Sequence, residues 1–197
     1  MAASPNLSIL VQNVAMSYCS SIARLPEPRR TLHQAYHDHH YGFPLHDDHE
    51  LFGRLLMEIN QAGLSWEIIL KKEMAFRRAY DDFNIQKVAA YTETDRQRLQ
   101  EDAGIIRNRL KINAAIENAR VIVGLQQEYG SFEQWLKAHH PRSKAEWVRL
   151  FKKTFRFTGG EIVGEFLMSI GYLPGAHTPD CIIYQKVLAH NPVWSQA

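Results

Sequence analysis

A single carboxylate interrupts a stretch of the chain that otherwise has the apolar pattern of a buried helix. Glu58 follows Met57 among large apolar side chains that recur at helical spacing. A buried carboxylate is costly unless it meets donors or a cation, so Glu58 is a candidate binding or catalytic group. The alternative is that Glu58 turns to solvent or caps a neighbouring helix, and the spacing alone does not decide between the two.

Two further groups of residues near Glu58 carry side chains that could recognise a ligand. Residues 36–42 read Tyr-His-Asp-His-His-Tyr-Gly and so place three histidines and two tyrosines within seven positions. Residues 58–66 run from Glu58 through a glycine turn to Trp66, whose indole is a stacking surface for a flat ligand. The other interpretation is that Trp66 belongs to the core.

A glycine turn followed by basic side chains occupies residues 102–111. Gly104 lies in the turn, and Arg107, Arg109 and Lys111 supply positive charge just after it. Backbone N–H groups at such a turn, and at the helix N-terminus that follows, can hold a DNA phosphate. The pattern resembles a helix-hairpin-helix element without its usual proline and second glycine. The alternative is an ordinary corner between helices with solvated charges.

Helices must position these groups, and the spacing of apolar residues predicts an all-α protein. The predicted helices begin near residues 47, 65, 84, 94, 107, 131, 143 and 161, and the longest covers Arg107–Glu128. No stretch shows the sustained two-residue alternation that is typical of a strand. Residues 1–30 are interpreted as an irregular leader, and residues 31–197 as a single domain.

Composition restricts the class of protein without identifying it. A chain of 197 residues, 45% hydrophobic, suits one globular domain with a sizeable core. No apolar run approaches the roughly 20 residues of a membrane span, and the N-terminus lacks the ordering of a secretory signal. Two cysteines cannot form a disulfide framework, so we expect a cytoplasmic protein. A net charge of +2 permits a local DNA-binding surface but argues against general coating of nucleic acid.

The motifs together resemble the 3-methyladenine DNA glycosylase I family. The most specific runs are Gln-Ala-Gly-Leu-Ser-Trp at 61–66 and Asp-Ala-Gly-Ile-Ile-Arg at 102–107. The other matching residues are Ala35–Asp38, Gly42, Leu51–Phe52, Leu70–Lys72, Phe83, Lys87–Ala89, Asn118–Arg120, Phe155–Gly159 and Phe166–Met168. The resemblance covers residues 36–181 and implies the helix-hairpin-helix DNA glycosylase fold, with two helical lobes around a base-binding cleft.

The resemblance also assigns roles within the cleft. The damaged nucleotide would be turned out of the duplex into a pocket, where Glu58 and Tyr36 hydrogen-bond the base and Trp66 stacks on it. Glu58 is the catalytic candidate. Tyr41 stands where the family usually has tryptophan, which keeps an aromatic wall but adds a hydroxyl. An aromatic side chain that the family's N-terminal cysteine segment contributes has no obvious counterpart in the sequence.

On the DNA side of the cleft, Leu64 would enter the gap that the extruded base leaves. Gly104, Arg107, Arg109 and Lys111 would anchor a phosphate. The partner is therefore expected to be double-stranded alkylated DNA, with free 3-methyladenine as the product, no membrane association, and a monomeric enzyme.

The resemblance implies hydrolysis of the N-glycosidic bond of 3-methyladenine in base-excision repair. This base already carries positive charge in DNA, so its bond is weakened and little general-acid help is needed. Lyase activity is not expected, because no lysine lies at the hairpin exit in the position of a Schiff-base nucleophile. The alternative is a noncatalytic helical protein that binds lesions or unusual DNA structure.

A structural zinc ion is the one cofactor that the resemblance raises. The family's site uses an early cysteine, the histidine of the Tyr-His motif, and a His-x-x-x-Cys pair, here matched by His37, His177 and Cys181. Arg24 stands at the expected position of the first cysteine. Cys19 lies five residues too early, but it is a candidate fourth ligand if a flexible leader delivers it. The alternative is that the two histidines are hydrogen-bonded structural residues and that no metal binds.

Overall fold

The computed structural model describes residues 17–196, and every regular element in this range is a helix. The prediction of an all-α protein is confirmed. The helices are α1 (Tyr18–Ile22), α2 (Arg29–His39), α3 (Asp48–Gln61), α4 (Trp66–Ala79), α5 (Ile85–Ala89), α6 (Glu93–Glu101), α7 (Arg109–Tyr129), α8 (Phe132–Ala138), α9 (Lys144–Thr154), α10 (Gly160–Ser169) and α11 (Ile182–Ala189). None of the helices within residues 17–196 combines the length and apolar composition that a bilayer crossing requires.

Helix α3 is the central element of the fold. It packs against α4, α7, α8 and α10, and its residues from Leu51 to Asn60 are all buried. Asp47 begins it by accepting a hydrogen bond from the Glu50 amide at 2.9 Å, as an N-cap aspartate does. Because the helix is surrounded on several sides, even its polar residues face protein, which explains how Glu58 comes to be buried.

The long helix α7 carries the second half of the core. It starts at Arg109, two residues later than predicted, because the Asn108 side chain caps it by accepting from the Leu110 and Lys111 amides. Its buried face packs on α5, α6, α8 and α3. Tryptophan and phenylalanine side chains of α8 to α10, among them Trp147 and Phe151, complete one continuous core with these helices.

The leader predicted as irregular through residue 30 is partly helical where the structure describes it. Ser17 caps α1, and α2 already begins at Arg29. Residues 1–16 lie outside the described residues. At the other end, α11 packs on the domain through Ile183 and Val187, which are both buried. The sequence analysis did not identify α1, α2 or α11, because their apolar stripes are short.

Candidate active site and nucleic-acid interface

A cavity of about 560 Å³ opens beside the C-terminal half of α3. Helices α2, α3, α4 and α10 contribute its walls, together with α1 and the loop before His177. The side chains that surround it are Ser17, Tyr18, Tyr36, Tyr41, Glu58, Gln61, Trp66, Glu161, Glu165, Met168 and Ala176. The cavity is large enough for a purine base, and its walls are aromatic with carboxylates among them. The structure therefore brings Tyr36, Tyr41, Glu58 and Trp66 together, as the sequence analysis expected.

Glu58 is the buried carboxylate of this cavity. It is 4% exposed, and no hydrogen bond within the described residues contributes to its ionisation. Burial raises the pKa of Glu58 to about 8, the nearby Arg54 charge opposes that increase, and the Glu165 charge adds to it. A carboxyl group in this state faces the cavity with an unmet need for a donor or a cation.

Arg54, one turn before Glu58 on α3, is buried and does not neutralise it directly. Its guanidinium donates to the Tyr36 hydroxyl at 3.2 Å and to the Ser169 carbonyl at 3.4 Å, and it lies 5.2 Å from the centre of the Tyr36 ring. Because the Tyr36 oxygen accepts from Arg54, the proton of that hydroxyl is left to donate into the cavity. Arg54 was not singled out in the sequence, although a basic residue inside an apolar helix pattern is itself a signal.

Leu64 and Trp66 lie two residues apart where the loop between α3 and α4 meets α4. Trp66 begins α4, and its ring centre is 5.1 Å from that of Tyr36. Between Ala62 and Trp66 the chain turns through Gly63, which has φ = 82° and therefore favours glycine. Gln61 donates to the Leu64 carbonyl at 3.0 Å and holds the loop closed. Leu64 thus lies within the loop that connects the helix of Glu58 to the helix of Trp66.

Tyr18 supplies the aromatic side chain that the sequence analysis could not identify. Its ring centre lies 5.5 Å from that of Tyr41 and 6.5 Å from that of Tyr36, and its hydroxyl is 2.8 Å from Nδ1 of His33. Tyr41 is buried and completes this wall. The Gly42 amide after it donates to the Ser169 carbonyl at 2.9 Å. The short helix α1 therefore contributes directly to the cavity.

Four potential metal ligands meet behind this aromatic wall. Cys19, His37, His177 and Cys181 offer ligand atoms that all lie within 4.8 Å of one another. The His37 and His177 ring nitrogens are 3.1 Å apart. Each of three nitrogen–sulfur pairs is separated by 3.7 or 3.8 Å. Cys19 thus reaches the position that Arg24 could not fill, because α1 folds back over α2.

The outer nitrogens of both histidines are held by oxygen acceptors. His37 Nδ1 is 2.7 Å from the Asp38 carboxylate, and His177 Nε2 is 2.7 Å from the Tyr41 carbonyl. In each ring the other nitrogen faces the cluster. Such partners fix the tautomer and orientation of metal-binding histidines. The donor set and its surroundings therefore fit a tetrahedral zinc ion, for which nitrogen ligands would lie about 3.3 Å apart and nitrogen–sulfur pairs about 3.6 Å apart.

The glycine turn predicted to hold phosphate connects α6 and α7. The Gly104 amide donates to the Asp102 carboxylate at 2.7 Å, and Lys72 of α4 donates to the Ala103 and Gly104 carbonyls at 3.1 and 2.9 Å. A side chain at Gly104 would lie 2.9 Å from Asp102 and 3.1 Å from Ala75, so the turn packs too closely for one.

Arg107 and Arg109 are exposed beyond this turn, as a phosphate contact requires. Lys111 departs from the prediction. It is 7% exposed, and its ammonium donates to the Asn60 and Ala62 carbonyls at 2.9 and 2.8 Å. Lys111 is therefore not part of the phosphate-facing surface. It ties the first turn of α7 to the loop that carries Leu64.

Comparison with known proteins follows the same geometry. A family model described as methyladenine glycosylase matches residues 27–147. The DNA-3-methyladenine glycosylase 1 of Escherichia coli (strain K12) is 35% identical over an alignment of 188 positions, which covers 86% of this chain and 97% of that protein.

Two solved structures of 3-methyladenine DNA glycosylase I are also similar. A tyrosine-to-phenylalanine variant in complex with 3-methyladenine superposes with a TM-score of 0.74 at 31% identity, covering 85% of this chain and 97% of that one. A glutamate-to-glutamine mutant from Staphylococcus aureus superposes with a TM-score of 0.73 at 31% identity, with the same two shares covered, 85% and 97%.

The buried state of Glu58 predicts how stability depends on pH. Its pKa is raised on folding, so its contribution to stability is present below the unfolded value of 4.5 and is lost as pH rises through about 8. We expect Glu58→Gln to raise the melting temperature more at about pH 9 than at about pH 6. Thermal unfolding at both pH values measures this. Glu128→Gln, which changes an exposed carboxylate on α7, is the control, and an equal shift at both pH values would contradict the buried state of Glu58.

Proposed function

Since this chain belongs to the methyladenine glycosylase family, we propose that it hydrolyses the N-glycosidic bond of 3-methyladenine in alkylated double-stranded DNA. The observation that carries the proposal is the unpaired, buried Glu58 carboxylate in a base-sized aromatic cavity. Relatives are named as DNA-3-methyladenine glycosylases, and one solved relative holds 3-methyladenine. The reaction is a step of base-excision repair and proceeds without strand-cleaving lyase activity.

The base pocket is formed by Glu58, Tyr36, Tyr41 and Trp66. The extruded base stacks on the Trp66 indole, whose electron-rich face favours a cationic purine. The Tyr36 hydroxyl, which accepts from Arg54, donates its own proton to an acceptor on the base edge. The two solved variants change one tyrosine and one glutamate, the residue types that meet here as Tyr36 and Glu58.

The chemistry depends on the charge that Glu58 carries when the pocket is filled. In the empty cavity burial favours the protonated form of its carboxyl group. A positively charged base supplies the missing counter-charge, so binding the substrate favours the carboxylate. The ionised Glu58 then stabilises the positive charge that develops on the sugar as the bond to the base breaks, and water completes the hydrolysis. Because the leaving base is already cationic in DNA, no separate proton donor is required.

The DNA backbone is held at the turn between α6 and α7, which we assign as the helix-hairpin-helix element. Gly104 lets the turn approach closely, and Arg107 and Arg109 provide exposed positive charge next to the N-terminus of α7. Leu64 enters the stack at the site of the extruded base. Lys111 positions Leu64 by bonding the loop before it, rather than contacting phosphate.

These assignments place residues 31–197 in one two-lobed glycosylase domain, which acts as a monomer in the cytoplasm. Helix α1 is added to this domain, because Tyr18 lines the pocket and Cys19 joins the ligand cluster.

We also propose that Cys19, His37, His177 and Cys181 hold a structural zinc ion. The distances within the cluster and the acceptors behind both histidines support this assignment. Bound zinc would fasten α1, α2 and the segment before α11 to one another and thereby fix Tyr18 and Tyr41 at the pocket. It has no part in bond cleavage, since the cluster lies behind the aromatic wall.

Release of free 3-methyladenine from methylated duplex DNA is the test of the proposed activity. We expect the protein to release 3-methyladenine, and Glu58→Gln to lower the rate roughly 100-fold while duplex binding stays nearly intact. Single-turnover excision and equilibrium DNA binding measure the two effects, with Glu128→Gln, an exposed carboxylate outside the cavity, as the control. DNA binding without any base release would favour the noncatalytic lesion-binding alternative.

The assignment of the phosphate anchor predicts a change in salt dependence. Arg107→Ala and Arg109→Ala should each make the slope of log K against log salt less negative by about 0.9, since each removes one phosphate contact. Lys111→Met should leave that slope unchanged, because its ammonium already pairs with two carbonyls. Titration of duplex DNA at several salt concentrations measures the slopes. A less negative slope in Lys111→Met would show that Lys111 does contact a phosphate.

The zinc assignment predicts the metal content of the purified protein. We expect about one zinc per chain, lost in Cys19→Ser together with a marked fall in melting temperature. The exposed neighbour His39, replaced by asparagine, should keep the metal. Elemental analysis of the three purified proteins measures their zinc content, and wild-type protein that contains no zinc would refute the assignment.

A further inference from the structure

A second carboxylate faces the cavity from α10, the helix that packs beside α3. Glu165 lies on α10 and is half-buried, and its side chain lines the same space as Glu58. The sequence analysis did not consider it, since it falls at an ordinary position of a predicted core helix. Glu161, one turn earlier on α10, is different: its side chain is 90% exposed and is 3.4 Å from the Lys144 ammonium.

Tyr41 fixes the position of Glu165. Its hydroxyl donates to Oε2 of Glu165 at 3.0 Å, across 124 residues of sequence. Tyr41 is itself immobilised, because its ring is buried and its carbonyl accepts from His177 at 2.7 Å. Within residues 17–196, Oε1 of Glu165 receives no hydrogen bond. One oxygen is therefore anchored, and the other is left to accept from a ligand in the cavity.

The charges around the cavity do not balance once both carboxyl groups are ionised. Glu58 and Glu165 interact closely enough that the Glu165 charge contributes to the raised pKa of Glu58. Within residues 17–196, Arg54 is the cation that acts on the pKa of Glu58. Its Nη1 donates to Tyr36 and to the Ser169 carbonyl, and its Nε has no hydrogen-bond partner. Two carboxylates therefore share one guanidinium. A positively charged ligand between them would relieve their repulsion, whereas a neutral ligand of the same shape would not.

We propose that Glu165, held by the Tyr41 hydroxyl, is a specificity-determining residue that selects a positively charged alkylated base in the pocket. This inference rests on the proposed function, whose pocket it uses. Glu58 and Glu165 approach the base from α3 and α10, so the cation is enclosed by carboxylates on two sides. Discrimination against undamaged adenine then follows from charge as well as from the shape of the methyl group.

The test compares two small probes of nearly the same shape. The 3,9-dimethyladeninium ion carries a permanent positive charge and imitates the methylated nucleotide, whereas free 3-methyladenine is uncharged at neutral pH. We expect Glu165→Gln to weaken binding of the cation roughly 10- to 100-fold and to change binding of the neutral base by less than about threefold. The glutamine still accepts from Tyr41, so the pocket keeps its shape while the charge is lost.

Two further variants make the result specific. Tyr41→Phe removes the hydroxyl that anchors Glu165. It should also lower the preference for the cation, by a smaller factor than Glu165→Gln does. Glu128→Gln removes an exposed carboxylate of α7 that does not line the cavity and should keep the wild-type preference. Isothermal titration calorimetry with each probe measures the four proteins.

The inference would be overturned if Glu165→Gln weakened the binding of both probes equally, or if it changed the affinity for neither. Base release by the wild-type protein is scored separately. If the wild type releases 3-methyladenine and Glu165→Gln retains its preference for the cation, only the role of Glu165 is wrong. If the wild type releases no base, the proposed function fails, and the probe titrations still report whether Glu165 selects for charge.

Discussion

The structure depends on a carboxyl group that is buried without a partner. Glu58 lies on a helix surrounded by α4, α7, α8 and α10, so its side chain cannot reach solvent except through the cavity. Removing a carboxylate from water costs several kcal/mol in a protein interior. The nearby Arg54 is bonded to Tyr36 and not to Glu58, so in the empty cavity this cost is avoided by protonation and not by an ion pair. A cationic ligand that enters the cavity would supply the positive charge that favours the ionised form of Glu58.

Much of this arrangement follows from short-range patterns in the sequence. The helical spacing around Leu51 and Phe52, with Asp47 as the cap, predicts α3 and places Glu58 inside it. The glycine turn at Gly104 is equally local, since it depends on a few consecutive residues. Roles for Tyr36, Trp66 and Leu64 came instead from resemblance to a family, and the structure brings the first two into one cavity with Glu58.

The residues that sequence analysis missed or misplaced depend on contacts between distant segments. Lys111 looked like part of a basic cluster, yet its position on the buried stripe beside Ile112 directs its long side chain inward to the carbonyls before Gly63. Cys19 appeared to be too early for a ligand, because spacing along the chain cannot show that α1 folds back on α2. Glu165 acquires its meaning only from Tyr41, which lies 124 residues away.

The bonds made by Lys72 and Lys111 have a mechanical consequence for searching DNA. Lys72 bonds the turn between α6 and α7, and Lys111 bonds the loop before Leu64. Under the proposed function, the turn that would hold a phosphate and the loop that would insert Leu64 are both tied to the same helical framework. The distance between the bound phosphate and the base pair next to Leu64 would therefore be fixed by the fold. A protein of this kind would test each base pair at the same distance from the phosphate that it holds. It would need no conformational change to move from one nucleotide to the next.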